Sequence, residues 1–299
     1  MTMMQERSAS QPLGMPRRPR RRWLSWLLPA PTFALTIVLI VVPLFMMLWV
    51  SLHPLGQESF SIDNYRQLAD GPLYATVFLR TAWSAALASL ITVALALPAA
   101  WALSRMQSKW RTFVLSIVVV PYLTSYLLLI YSMFVILGPD GPASEVLHAL
   151  GFGSAKDSVL YTPWATVIIF AYESLAVAIF VIYAVSERVT RDHLEAAASL
   201  GAPAWYRFKH VIAPLLSPGI LGAFLIVIVP MGGAFAESDI LGGPNGQLAG
   251  NVINYQMNTA GNESMAATLS IALLVVLAVA VGVIYGVFRG VVSVRRRGA

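Results

Sequence analysis

The run Glu195-Ala196-Ala197-Ala198-Ser199-Leu200-Gly201, followed by Val211-Ile212-Ala213-Pro214, lies between two long apolar segments and decides how the chain is read. An acid followed by small alanines favours a helix, Gly201 halts it, and Pro203 restarts one. The expectation is two short helices meeting at an angle, an elbow shaped to enter another protein's groove. Such an element docks; it does not catalyse.

Around this elbow the chain is 58% hydrophobic and only 11% charged, with its apolar residues in long blocks instead of the stripes of a soluble helix. Such a composition belongs in a bilayer. A spanning helix needs about 20 mostly apolar residues, and six segments reach that length, near 26–51, 76–104, 112–137, 161–186, 217–236 and 266–289. The expected fold is therefore all-α and integral to the membrane. Residues 1–25 form a basic tail, 26–289 one transmembrane domain with a loop at 187–216, and 290–299 a second basic tail. No repeat of 20–50 residues and no Gly/Ser linker divides it.

Six spans put both ends on one side, and basic residues choose the side. Arg17, Arg18, Arg20, Arg21 and Arg22 precede span one; Arg105, Lys109 and Arg111 follow span two. Arg188, Arg191, Arg207 and Lys209 lie in the elbow loop, and Arg295, Arg296 and Arg297 close the chain. Both termini and the elbow are thus expected in the cytoplasm. Acids gather on the other face, at Glu58, Asp63, Asp70, Asp140, Glu145, Asp157, Glu237, Asp239 and Glu263. The net charge of +6 is then the sum of two opposed faces and does not point to nucleic acid. The first apolar run is too long for a secretory signal core and reads as a retained span. Outside the spans, Ser61 is placed to cap a short surface helix containing Asp63-Asn64-Tyr65, and Gly138-Pro139-Asp140-Gly141-Pro142 is a dense turn.

The sequence offers little for chemistry of its own. No lysine follows a glycine as a phosphate-binding loop requires, and no His-Glu-x-x-His or Gly-x-Ser-x-Gly occurs. The four histidines are scattered, and with no cysteine there is no disulfide, thiolate or sulfur-held metal. An intramembrane enzyme lacks a catalytic constellation, and a secondary transporter would more often show a repeated half with broken helices and no docking loop.

Here the chain resembles the membrane-spanning permeases of type I ABC importers. Their loop reads Glu-Ala-Ala, three residues, Gly, nine residues, Ile, one residue, Leu-Pro; Glu195, Ala196, Ala197, Gly201 and Pro214 fall in that register, with Val211 and Ala213 in place of Ile and Leu. Asp63-Asn64-Tyr65, Leu241-Gly242-Gly243, Gly250-Asn251-Val252-Ile253 and Ala266-Ala267-Thr268-Leu269-Ser270 look like the spermidine/putrescine permease branch, B-type, from about Asp63 to the end. Related branches carry ferric iron, aminophosphonates or opines. The resemblance implies an inner-membrane subunit that pairs with a second permease, or with its own copy. Two cytoplasmic ATPases, which bind the ATP and Mg, and a periplasmic solute-binding protein complete the implied assembly. This chain would hold no cofactor, metal or catalytic residue. Glu195 to Pro214 would receive the ATPases' motion, with the alanines allowing close approach and Gly201 the sharp turn.

Polar residues at membrane depth bear on the solute. Glu173 falls midway through span four, where an acid costs about 2.5–3.5 kcal/mol unless it faces water or a partner. It either lines the path or pairs within the bundle, with Arg80 one candidate. Glu237 and Asp239 follow Met231-Gly232-Gly233-Ala234-Phe235-Ala236, where glycines can unwind the helix; they line a cation entrance or are solvated loop acids. Acids beside aromatic faces suit an organic polycation, and Tyr172, Tyr255 and Trp164 are such faces or else belong to an interfacial belt. Tyr172-Glu173-Ser174-Leu175-Ala176 departs from the Leu-Pro-Phe pattern of the resembled family at this place in span four.

Overall fold

The computed structural model describes residues 30–54, 59–151, 158–190, 195, 199, 201 and 203–297, with side chains to 290. The order of its helices is α1 (Ala30–Ser51), α2 (Asp63–Asp70), α3 (Pro72–Arg105), α4 (Ser108–Leu123), α5 (Tyr126–Leu137), α6 (Pro142–Ala149) and α7 (Pro163–Ser186). Then come α8 (Ala204–Arg207), α9 (Ala213–Gly233), α10 (Ala249–Asn258) and α11 (Glu263–Arg297). No strand occurs among the described residues. Two units are delimited, Met1–Met46 and Met47–Ala299. The described part of the first is residues 30–46 of the apolar helix α1, with Pro43 inside it; the last turn of α1 belongs to the second. Six stretches are long and apolar enough to cross a membrane: Ala30–Ser51, Pro72–Arg105, Tyr126–Ala149, Pro163–Ser186, Ala204–Gly233 and Glu263–Gly290.

In the second unit the core is built by α3, α7 and α9, and small residues are what allow it. Thr81, Ala85, Ala88, Thr92, Ala96 and Ala100 recur at helical spacing along the buried face of α3. Without a hydrophobic force between helices in lipid, close backbone approach supplies the packing, and small side chains permit that approach. Ala88 and Ala96 are fully buried, against Phe170 and Ile169 of α7 at one level and Ile182 of α7 and Ala223 of α9 at the other. Thr92 ties α3 to α7 by donating to the Ala171 carbonyl (3.3 Å). On α9, Gly219 lies so close to Val185 that an added Cβ would sit 3.0 Å from that side chain.

Two polar knots fix the connections. Asn64 donates to Ser264 (2.7 Å), Ser264 donates to the Val50 carbonyl (3.0 Å), and Tyr65 and Ser51 share a hydrogen bond of 2.8 Å. Together they join the last turn of α1, α2 and the first turn of α11. Ser61, expected to cap α2, stands one residue before its N-cap, Ile62, and its hydroxyl accepts from Asp63 N–H at 3.0 Å. The second knot centres on Asn251, which accepts from Ser238 (2.6 Å) and from Leu248 N–H (2.9 Å) and donates to the Phe235 carbonyl (3.0 Å). Ala249 N–H reaches across to Thr81 of α3 (2.9 Å). These bonds hold Gly250 against the Ala234 backbone, where a Cβ would lie 2.5 Å from the carbonyl oxygen. Because that obstacle is backbone, Gly250→Val is expected to destabilise the protein by about 1–3 kcal/mol. Gly282, with open space around it, provides the control: Gly282→Ala should leave the midpoint of thermal unfolding in detergent unchanged or raised.

Two elements differ from the sequence expectation. The third span, expected as one helix over 112–137, is broken: α4 ends at Leu123, and Thr124 and Ser125 are extended (ψ 149° and 129°) before α5 begins. Pro121 is the cause. It has no N–H for the Ile117 carbonyl, which weakens the last turn, and that turn closes with Thr124 N–H on the Pro121 carbonyl (3.2 Å). Similarly, the elbow's second arm is not a free-standing helix, because 204–233 runs on as one helical stretch into span five. Pro214 stands inside it, and the preceding turn widens to a π-helical turn, Phe208–Ile212, in which Ala213 N–H bonds to the Phe208 carbonyl. The extra residue in that turn makes room for the proline ring.

Candidate functional site: a coupling elbow and an acidic cleft

At the elbow, Gly201 has φ +73°, the left-handed conformation that favours glycine, and a Cβ there would meet nothing within 4 Å. Glu195 is exposed and helical, and Ser199 Oγ donates to its carbonyl (2.9 Å). Pro203 caps α8 as anticipated. Ala196 and Ala197 lie outside the described residues, as do Arg191 and the N-terminal tail.

The two roots of the elbow are clamped together. Val189 from the first root, with Ile212 and Leu216 from the second, forms a buried cluster against Leu97 and Trp101 of α3. Arg105 stacks on the Trp101 ring (4.2 Å) and donates to the Val189 carbonyl (3.1 Å). Arg111 of α4 pairs with Glu187 (3.1 Å), whose carboxylate also accepts from Tyr183. Beyond the clamp the second arm presents aromatics outward. Trp205, 71% exposed, stacks on Phe208 with ring centroids 6.0 Å apart, and Tyr206 stacks on His210 at 4.0 Å. Sequence reasoning passed over these four rings, although large aromatic side chains within one short helical turn are a recognisable interface signal.

At the other site, a cleft of about 580 Å³ opens between the α4–α5 break, the middle of α7 and α9. Pro121, Tyr122, Thr124 and Tyr126 line one side, Tyr172 and Glu173 another, and Ile226 and Pro230 the third. Non-helical backbone at membrane depth is tolerated where it lines such a cavity. Glu173 Oε2 is buried and has no hydrogen-bond partner among the described residues. The alternative pairing with Arg80 is not formed; that guanidinium points to the Gln247 carbonyl (3.5 Å).

Glu237 corrects the sequence reading. Placed by the sequence in an external loop, either at a cation entrance or as a solvated acid, it is 2% exposed, and its Oε2 also lacks a partner among the described residues. It reaches this position because α9 stops at Gly233, Ala234 is extended, and the π-helical turn Ser238–Gly242 carries the chain back inward. There it lies within electrostatic reach of Glu173 and of the Tyr126 hydroxyl. Asp239 and Tyr255 do not join them: Asp239 is exposed, and Tyr255 is 56% exposed and outside the cleft lining.

A core of small-residue-packed spanning helices, a clamped elbow and an acidic cleft at membrane depth describe a transport subunit, and the chain belongs to the family of binding-protein-dependent transport system inner membrane components, which residues 73–295 match. It is 35% identical to the spermidine/putrescine transport system permease protein PotB of Escherichia coli (strain K12), over 72% of this chain and 78% of that one. The PotB of Haemophilus influenzae is 34% identical over 81% of this chain and 86% of its own length. The molybdenum transport system permease protein ModB of Azotobacter vinelandii is 29% identical over 52% of this chain and 69% of its own. In fold the chain is similar to a chain of the bacterial alginate ABC transporter in complex with an alginate pentasaccharide-bound periplasmic protein, with TM-score 0.73, 18% identity and coverage of 91% and 96%.

Proposed function

We propose that this protein forms half of the translocation path of an ATP-driven importer for a cationic polyamine, of the spermidine/putrescine type, and is moved by a separate ATPase through 191–214. The observation that carries the substrate class is Glu173: a half-buried acid whose Oε2 is buried and unpartnered among the described residues, lining a cleft with Tyr172 and Tyr126. Carboxylates draw ammonium groups by charge-assisted hydrogen bonds, and aromatic faces add cation–π attraction. The same acid opposes an anion. It therefore supports a cargo unlike the acidic polysaccharide alginate that one structural neighbour imports.

The elbow supports the coupling role. Its clamp to α3 and the Arg111–Glu187 link to α4 make a stiff path from the loop to the broken helix that lines the cleft. The outward Trp205 and Phe208 supply docking surface for an ATPase groove, shortly after Gly201 in the chain. In this reading ATP and Mg bind the ATPase and not this chain, a second similar permease completes the pore, and a periplasmic binding protein delivers the solute. Both termini and the elbow face the cytoplasm, following the basic residues.

Reconstitution of the assembled importer in proteoliposomes tests this directly. Labelled spermidine or putrescine should accumulate only with ATP on the elbow side and binding protein on the other. Accumulation of an anionic solute, unaffected by excess polyamine, would overturn the substrate class.

A further inference from the structure

Two irregularities in the fold and one acid at mid-span converge on one point. Tyr126 is the first residue after the break in the third span, Glu173 sits midway along an unbroken helix, and Glu237 enters where the chain turns back after α9. Helix breaks within a bilayer are expensive unless a site needs them. Here two breaks each deliver one polar side chain to the neighbourhood of Glu173.

We infer that Glu173, Glu237 and the Tyr126 hydroxyl form a subsite for a single primary ammonium group, the terminal amine of the transported solute. Two carboxylates confined at this depth repel each other, and among the described residues no ion pair reaches either of them. A cation relieves both. One ammonium brings three N–H donors, and three acceptors await it: the unpartnered Oε2 of Glu173, the unpartnered Oε2 of Glu237 and the Tyr126 oxygen. Glu237, almost wholly buried, is the firmest sign of a built site, since a carboxylate is not otherwise enclosed without a partner.

The donor set argues against a metal ion. Magnesium and calcium take six or more oxygens, whereas only two carboxylates meet here and much of the cleft wall is aliphatic, with Ile117, Val118, Leu129 and Ile226 beside the hydroxyls of Tyr122 and Thr124. That wall suits the methylene chain attached to an amine. A fully methylated ammonium, with no N–H, would leave the acceptors unpaired, and sites built to hydrogen-bond a group discriminate strongly against analogues lacking it.

This subsite rests on the cationic-solute reading, and the experiment separates the two. The assembled transporter in detergent, without its binding protein, is titrated with putrescine and with fully N-methylated putrescine while thermal unfolding is followed. Putrescine should raise the unfolding midpoint of the wild type, and the methylated compound should not. Glu173→Gln and Glu237→Gln should each lose the shift, and Tyr126→Phe should need about tenfold more putrescine for the same shift. An equal response to the methylated compound, or a response unchanged in both Gln variants, overturns the subsite while wild-type putrescine uptake can still stand. If another primary amine gives the shift and polyamines are not taken up, the subsite holds and the polyamine assignment falls.

Discussion

Gly201→Val is expected to abolish ATP-driven uptake while leaving the protein inserted and assembled in the membrane. The space around Gly201 is open, so the effect is not steric crowding. It arises from the backbone: φ of +73° is a left-handed conformation that a β-branched residue adopts only as an outlier, at about 1–2 kcal/mol. The loop would relieve this by leaving the turn, and the two arms would no longer meet at the angle the docking partner requires. Asparagine visits the left-handed region readily, so Gly201→Asn should retain most of the uptake. ATP-dependent solute accumulation in proteoliposomes, alongside subunit stoichiometry after purification, provides the check. A dead Asn variant with a living Val variant would show that backbone conformation is not what matters at this position.

Glu173→Lys should also eliminate uptake, for a different reason, and its stability is the informative part. An unsupported lysine near the middle of a span costs about 2.5–3.5 kcal/mol. Tethered at this site, its ammonium would lie beside Glu237 and Tyr126, taking the place proposed for the solute's amine. The unfolding midpoint should therefore stay near that of wild type, and added putrescine should no longer raise it. A midpoint lowered by several degrees would mean that position 173 does not face Glu237 in the working protein.

Much of the fold was legible because hydropathy and charge act at the scale of whole spans. The apolar blocks located the long helices, and Gly201 and Pro203 marked the elbow's corner where it is found. Proline effects were harder to place, since a proline can end a helix beyond itself or be absorbed by a widened turn. Pro121 does the first, stopping α4 at Leu123; Pro214 is accommodated in the second way, after the π-helical turn Phe208–Ile212. Glu173 was readable as an acid at depth because its position inside a span is local information. Glu237 was not: its burial depends on a fold-back after Gly233 that brings residues 64 positions apart together. No pattern along the chain encodes that meeting. The clamp of Val189, Ile212 and Leu216 on Trp101 was hidden for the same reason, because it joins the loop's two roots to a distant helix.

Force transfer through the elbow can be tested by site-directed cross-linking, which the absence of native cysteines makes clean. With Glu195→Cys as the single thiol in the reconstituted importer, a short bifunctional reagent should join this chain to the ATPase subunit, with a yield that changes on ATP binding. Failure to cross-link to the ATPase, together with labelling of that thiol by an impermeant reagent from the periplasmic side, would contradict it.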